Sequence, residues 1–223
     1  MNWVKFMKTD FLFYKYQKVL MIVFPVFVVF MSIYSKVSQD MIFTISYLCF
    51  GVLIVSTAPY CLENKSMSAF IQMLPGSDRE RVVGRYMCFG AMLLAAVAYG
   101  VGVVLVTGWI KGFHVTYFDM YFSVLAVAFS IIVGSLQFLI LYIAGRGKSN
   151  QLLNIIRMLP GFVFFWIINF IGEKGKEGSL HLLEYFFIHN KLICLISMAA
   201  AALLIFAGCI FASVKVIQRR DAI

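Results

Sequence analysis

Six long runs almost free of charged side chains govern what this chain can become. They fall near residues 19–35, 41–62, 86–110, 120–145, 149–172 and 192–214, with Arg157 the one charged residue inside them. A helix needs about 20 apolar residues to cross roughly 30 Å of hydrocarbon. Within hydrocarbon every backbone N–H and C=O must be satisfied inside the protein, which favours helices. The runs therefore predict an all-α integral membrane protein with six transmembrane helices. A chain that is 62% hydrophobic and 13% charged could not hide its apolar surface as a soluble domain. Residues 1–223 are expected to form a single transmembrane domain with no separate soluble one.

Charge sets the orientation. With the N-terminus in the cytoplasm, only Lys36, Lys111, Lys174, Lys176 and Lys191 of the 19 Lys and Arg residues fall outside. That is the positive-inside bias, and it puts both termini in the cytoplasm. The net charge of +9 is thereby accounted for without nucleic acid. Residues 1–18 mix aromatics with Lys5, Lys8, Lys15 and Lys18. They read either as an interfacial helix, with Val4, Met7, Phe11 and Tyr14 on one face, or as a lead-in to the first span. No small-residue cleavage pattern follows that span, so it is expected to stay uncleaved. Between the fifth and sixth spans, Ser179 can cap a short amphipathic external helix running to Ile188. Small residues at Ala96 and Gly100, and again at Ala199–Ala202, Ala207, Gly208 and Ala212, predict close helix packing; the sharper alternative is a translocation route. The cysteines sit in or at the ends of spans without a C-x-x-C pair and read as buried small hydrophobes.

The most designed polar stretch runs from Glu63 to Tyr86. Lys65, Ser66, Ser68 and Gln72 share one side of a short predicted helix, while Met67, Phe70, Ile71 and Leu74 recur at helical spacing on the other. Pro75-Gly76 ends that helix. Ser77 and Glu80 then match a capping box, so a second helix is predicted to begin at once, with Asp78, Arg79, Arg81 and Arg85 around the elbow.

The missing chemistry narrows the function. No Asp, Glu, Lys or His lies deep in a span, whereas proton- and ion-coupled pumps keep such groups as relays. GRGKS at Gly145–Ser149 lacks the first glycine of a phosphate-binding loop, where Tyr142 stands, and it follows a membrane helix rather than a strand. His114, His181 and His189 have no metal-ligand spacing, and no G-x-S-x-G is present. The chain reads as a non-enzyme that neither relays ions nor hydrolyses nucleotide.

The 63–86 stretch resembles that of permease subunits in bacterial ATP-binding-cassette type-2 exporters. Those carry an acidic residue closing the second span, a short helix, Leu-Pro, a serine, basic residues, and a Val-rich start to the third span ending in a small residue, Lys or Arg, and Tyr. This chain offers Glu63, Met67–Leu74, Leu74-Pro75, Ser77, Arg79, Arg81, Val82-Val83 and Gly84-Arg85-Tyr86; Asp78 departs from the basic residue usual after the serine. The resemblance implies a coupling helix, Lys65–Leu74, seated in a cleft of a separate cytoplasmic ATPase that binds ATP and Mg. Glu63, Lys65, Met67, Phe70, Ile71, Leu74, Pro75, Asp78, Arg79, Glu80, Arg81 and Arg85 would make that contact. It further implies a second permease subunit, as homodimer or heterodimer, and residence in the bacterial plasma membrane. Short permeases such as the phenol-soluble-modulin exporters are similar in size and character, which implies amphipathic peptide or other apolar cargo. The alternative is a stand-alone channel or scaffold without an ATPase.

Overall fold

The computed structural model of the protein describes residues 3–14, 18–34, 41–59, 76–112, 117–144 and 191–221, together with 155, 158–163, 166–167 and 170. Among the described residues six helices carry the fold: α1 (Trp3–Tyr14), α2 (Lys18–Tyr34), α3 (Met41–Ser56), α4 (Asp78–Lys111), α5 (Tyr117–Ala144) and α6 (Lys191–Asp221). Residues 158–163 are helical as well. Among the described residues there is no strand, as expected for a membrane protein built from helices. Asp78–Lys111, Asp119–Ala144 and Ile193–Arg219 are long and apolar enough to cross a bilayer, while Met21–Tyr34 and Met41–Ser56 are shorter apolar helices.

Two helix boundaries follow from local features, the first of them where the capping box predicts it. The third apolar run and the charged stretch before it are one continuous helix, α4, of 34 residues. Ser77 explains where it starts. Its hydroxyl accepts from the Glu80 N–H at 3.3 Å, and the Glu80 carboxylate accepts from the Ser77 N–H at 3.2 Å. Two of the N–H groups orphaned at the helix start are thus satisfied reciprocally. The far end stops at Gly112, whose φ of 70° supplies the left-handed turn that a side chain would resist. The second boundary is that of α3, which ends at Ser56 and breaks into a turn at Thr57 although uncharged sequence continues to Leu62. The predicted helices Lys65–Leu74 and Ser179–Ile188 lie outside the described residues, as do Glu63 and Pro75.

Contacts fix the direction of each helix. Gly100 of α4 lies against Ile45 and Leu48 of α3, and the Cys88 end of α4 lies beside Ser56 through Tyr14, so α3 and α4 are antiparallel. Phe24 and Phe27 of α2 pack their rings against Phe50 and Tyr47 of α3, again antiparallel. Tyr121 of α5 pairs with Cys194 near the start of α6, while Ser135 and Ser213, late in the same helices, both meet Tyr86. Hence α5 and α6 run in the same direction, opposite to α4. The main core holds Leu53, Val82, Phe89, Phe138 and Leu141, where α3, α4 and α5 meet, with Cys209 from α6. Residues 158–163 reach this assembly at Gly161, beside Phe50 and Ile54.

The glycines divide sharply. A Cβ on Gly51, Gly84, Gly100 or Gly134 would strike a neighbouring helix, whereas one on Gly90, Gly102 or Gly208 would meet nothing within 4 Å. Close packing therefore accounts for Gly100, as its spacing from Ala96 predicts, but not for every small residue in the spans.

Candidate functional site

Three consecutive residues near the start of α4 hold three other helices. Successive side chains on a helix point about 100° apart, so neighbours in sequence face different directions. Gly84 faces α1: a Cβ there would lie 2.9 Å from the Trp3 carbonyl oxygen and 3.0 Å from the Phe6 Cβ. Only glycine lets the two backbones come this close. Arg85 faces the same helix one residue on, its Nε 3.6 Å from Asp10 Oδ2, with the two side chains only 4% and 6% exposed. Tyr86 turns the other way, fully buried. Its hydroxyl lies 3.2 Å from the Ser135 carbonyl oxygen, which accepts its proton, and 2.9 Å from the Ser213 hydroxyl. The ring packs against Phe138 and Phe206. Gly84-Arg85-Tyr86 is thus the node where α1, α5 and α6 are tied to α4.

The first helix is shaped to meet this node. Phe6, Asp10 and Tyr14 are buried at i, i+4 and i+8, while Phe11 is half-exposed. The side of α1 that packs on the bundle thus includes an acid, and of Val4, Met7, Phe11 and Tyr14 only Tyr14 is buried there. The reason is the partner: Asp10 neutralises Arg85, and a buried charge is tolerated only when paired. Tyr14 donates to the Ser56 carbonyl at 3.1 Å, and the Cys88 thiol lies 3.9 Å from its oxygen. Burial, reinforced by Cys88 and Asp10, holds the Tyr14 phenol well above its ordinary pKa, so it stays a neutral donor. Val55, Ala58 and Cys88 complete a small apolar cluster around Tyr14.

The described members of the predicted coupling set separate into two groups. Arg81 is buried, 3.7 Å from Asp78 Oδ1, with its guanidinium over the Phe6 ring at 5.8 Å. Arg85 is buried on Asp10. Both basic side chains turn inward to α1. Glu80 is engaged by the Ser77 cap, and Arg79 is exposed. Glu63, Lys65, Met67, Phe70, Ile71, Leu74 and Pro75 fall outside the described residues. Sequence reading missed Asp10, Tyr14 and the two serines. The signal for Asp10 is present: it is the only acid among the basic and aromatic residues 2–18.

Among the described residues, no group of three or more His, Cys, Asp or Glu could hold a metal ion. The node's chemistry is mechanical, comprising a close backbone contact, a buried ion pair and a shared hydroxyl. Neither a curated protein nor a solved structure matches this chain significantly. The family described as ABC-2 family transporter protein matches residues 5–218, from within α1 to the last turn of α6. The chain with this node near the start of its 34-residue helix α4 is a multi-pass membrane component of a transporter, and it belongs to the ABC-2 family.

Proposed function

We propose that the protein is the permease subunit of an ATP-driven exporter in the bacterial plasma membrane, coupled through residues 63–86 to a separate ATPase. ABC-2 permeases generally pair with such a subunit. The observation that carries the reading is the anchoring of α4. The stretch expected to contact the ATPase runs straight into a helix whose first turns are tied to α1, α5 and α6. A push delivered past the Pro75-Gly76 elbow would enter the bundle through a helix anchored on three others. Met67, Phe70, Ile71 and Leu74 act as apolar anchors in a cleft of the ATPase, and exposed Arg79 orients the contact. Arg81 and Arg85 position α1 and touch the ATPase only indirectly.

The parallel run of α5 and α6 supports a further pass between them, hence six spans with both termini inside. Exposed Leu204 and Phe211, flanking a Gly208 with open space beside it, leave a face of α6 available to a second permease subunit. Amphipathic peptide remains the favoured cargo, because no charged relay or polar pore lining is legible in the spans. Phe70→Asp is expected to abolish co-purification of the ATPase partner, while the membrane protein keeps its thermal unfolding midpoint. Intact ATPase binding by that variant, or ion conductance by the chain alone, would overturn the assignment.

A further inference from the structure

A half-open cavity of about 280 Å³ lies between α2, α3 and α4, with Phe11 of α1 at one end. It exists because small residues face one another. Gly51 lets the Phe24 ring lie flat against α3, since a Cβ there would sit 2.9 Å from it. Across the gap, Ala91 and Ala95 stand one turn apart on α4, both exposed toward the opening. At the other end Tyr99 donates to the Pro25 carbonyl at 3.2 Å, clasping α2 to α4. From Ala91 to Tyr99 the cavity covers roughly 12 Å along α4, at about 1.5 Å per residue. An apolar cavity of about 150 Å³ holds a benzene ring, so this one has room for a longer hydrocarbon.

The geometry points to an occupant: we infer that the cavity holds one acyl chain of a bilayer phospholipid. Next in sequence to its lining residues Met21, Pro25 and Ala95 stand Ile22 and Val26 of α2, 61% and 60% exposed, and Leu94 of α4, 73% exposed. Those side chains belong to the lipid-facing surface, so the opening is continuous with hydrocarbon rather than with water. Water is a poor tenant because nearly all the walls are carbon and offer it too few partners. An empty void would forfeit the dispersion contacts of its lining. Lipid chains are the surrounding solvent and need only slide in along the helix axes. Phe11 sits at the end where α1 docks, so a held chain would touch both α2 and the helix tied to Arg85 through Asp10.

The test uses the full chain in liposomes containing phosphatidylglycerol with a diazirine in its acyl chain. After irradiation, labels are mapped by peptide mass spectrometry. The expected result is labelling at Met21 and Met92 above that at Leu203 and Leu204, which are exposed on α6. Ala95→Phe, which fills the cavity, should lower the first by about fivefold because a ring replaces the chain against the walls, leaving the α6 labels unchanged. Ala91→Phe serves as a second filling variant should Ala95→Phe misfold. Labelling at Met92 no higher than at Leu203, or unchanged in both variants, overturns the inference. Displacement of the label by excess amphipathic helical peptide, or its loss on cross-linking two copies, also overturns it by assigning the cavity to cargo or to a second subunit.

Discussion

Arg85 holds a charge where an isolated guanidinium could not stay. The pair with Asp10 is almost wholly buried, and removing one partner of such a pair leaves the other uncompensated at a cost of about 3–5 kcal/mol. Asp10→Leu and Arg85→Met are each expected to lower stability by that order. Asp10→Leu combined with Arg85→Met should lose much less than the sum, because a well-packed apolar pair avoids the desolvation of both charges. Thermal unfolding of the four proteins in one detergent measures the coupling, and additive losses would refute it. Tyr14 adds a pH signature at the same joint. Its folded pKa lies above the ordinary 10.0, so its contribution to docking is complete below that value. It is lost only as pH rises through the raised value. Hydrogen exchange across residues 3–14 should therefore show no Tyr14-dependent loosening below about pH 10, a limit that Tyr14→Phe removes.

At the scale of elements, the contact between α1 and α4 depends on the absence of one carbon. Gly84→Val would drive a branched side chain into the Trp3 carbonyl and the Phe6 stem. Overpacking of this kind costs about 1–3 kcal/mol. We expect it to release α1 while α4 keeps its bonds through Tyr86, so that exchange rises across residues 3–14 but not around Ser135 and Ser213. The start of α4 was legible in the sequence because a capping box is a local device: Ser77 and Glu80 are three residues apart and need no tertiary partner. The joint itself was not legible: Asp10 stands out as the one acid in residues 2–18, but its partner Arg85 is distant in sequence and no local pattern pairs them. The Gly84-Arg85-Tyr86 triplet was visible as a pattern, but its meaning required three helices to arrive around it. Arg81 shows the same limit: in sequence it belongs to a charged surface, yet it lies under Phe6.

Across the whole molecule, α4 is about 51 Å long by its 34 residues at about 1.5 Å each, the length the proposed coupling would use as a lever. Its base is fastened on two sides and its far half packs on α3 through Gly100. Binding of the ATPase and use of its work should therefore be separable. Gly84→Val is expected to retain the ATPase in pull-downs while transport in reconstituted vesicles falls severalfold; Phe70→Asp should lose both. Equal transport by Gly84→Val and the unaltered protein would show that α1 takes no part in force transmission.

The buried pair also orders the protein's birth. Translation delivers Asp10 long before Arg85, so α1 must wait at the membrane surface with its acid still hydrated. Only when the fourth helix has entered the bilayer can the nascent chain close the joint. A ribosome stalled short of Arg85 would leave α1 undocked and its acid exposed, a mark by which a membrane protease could tell an unfinished chain from a finished one.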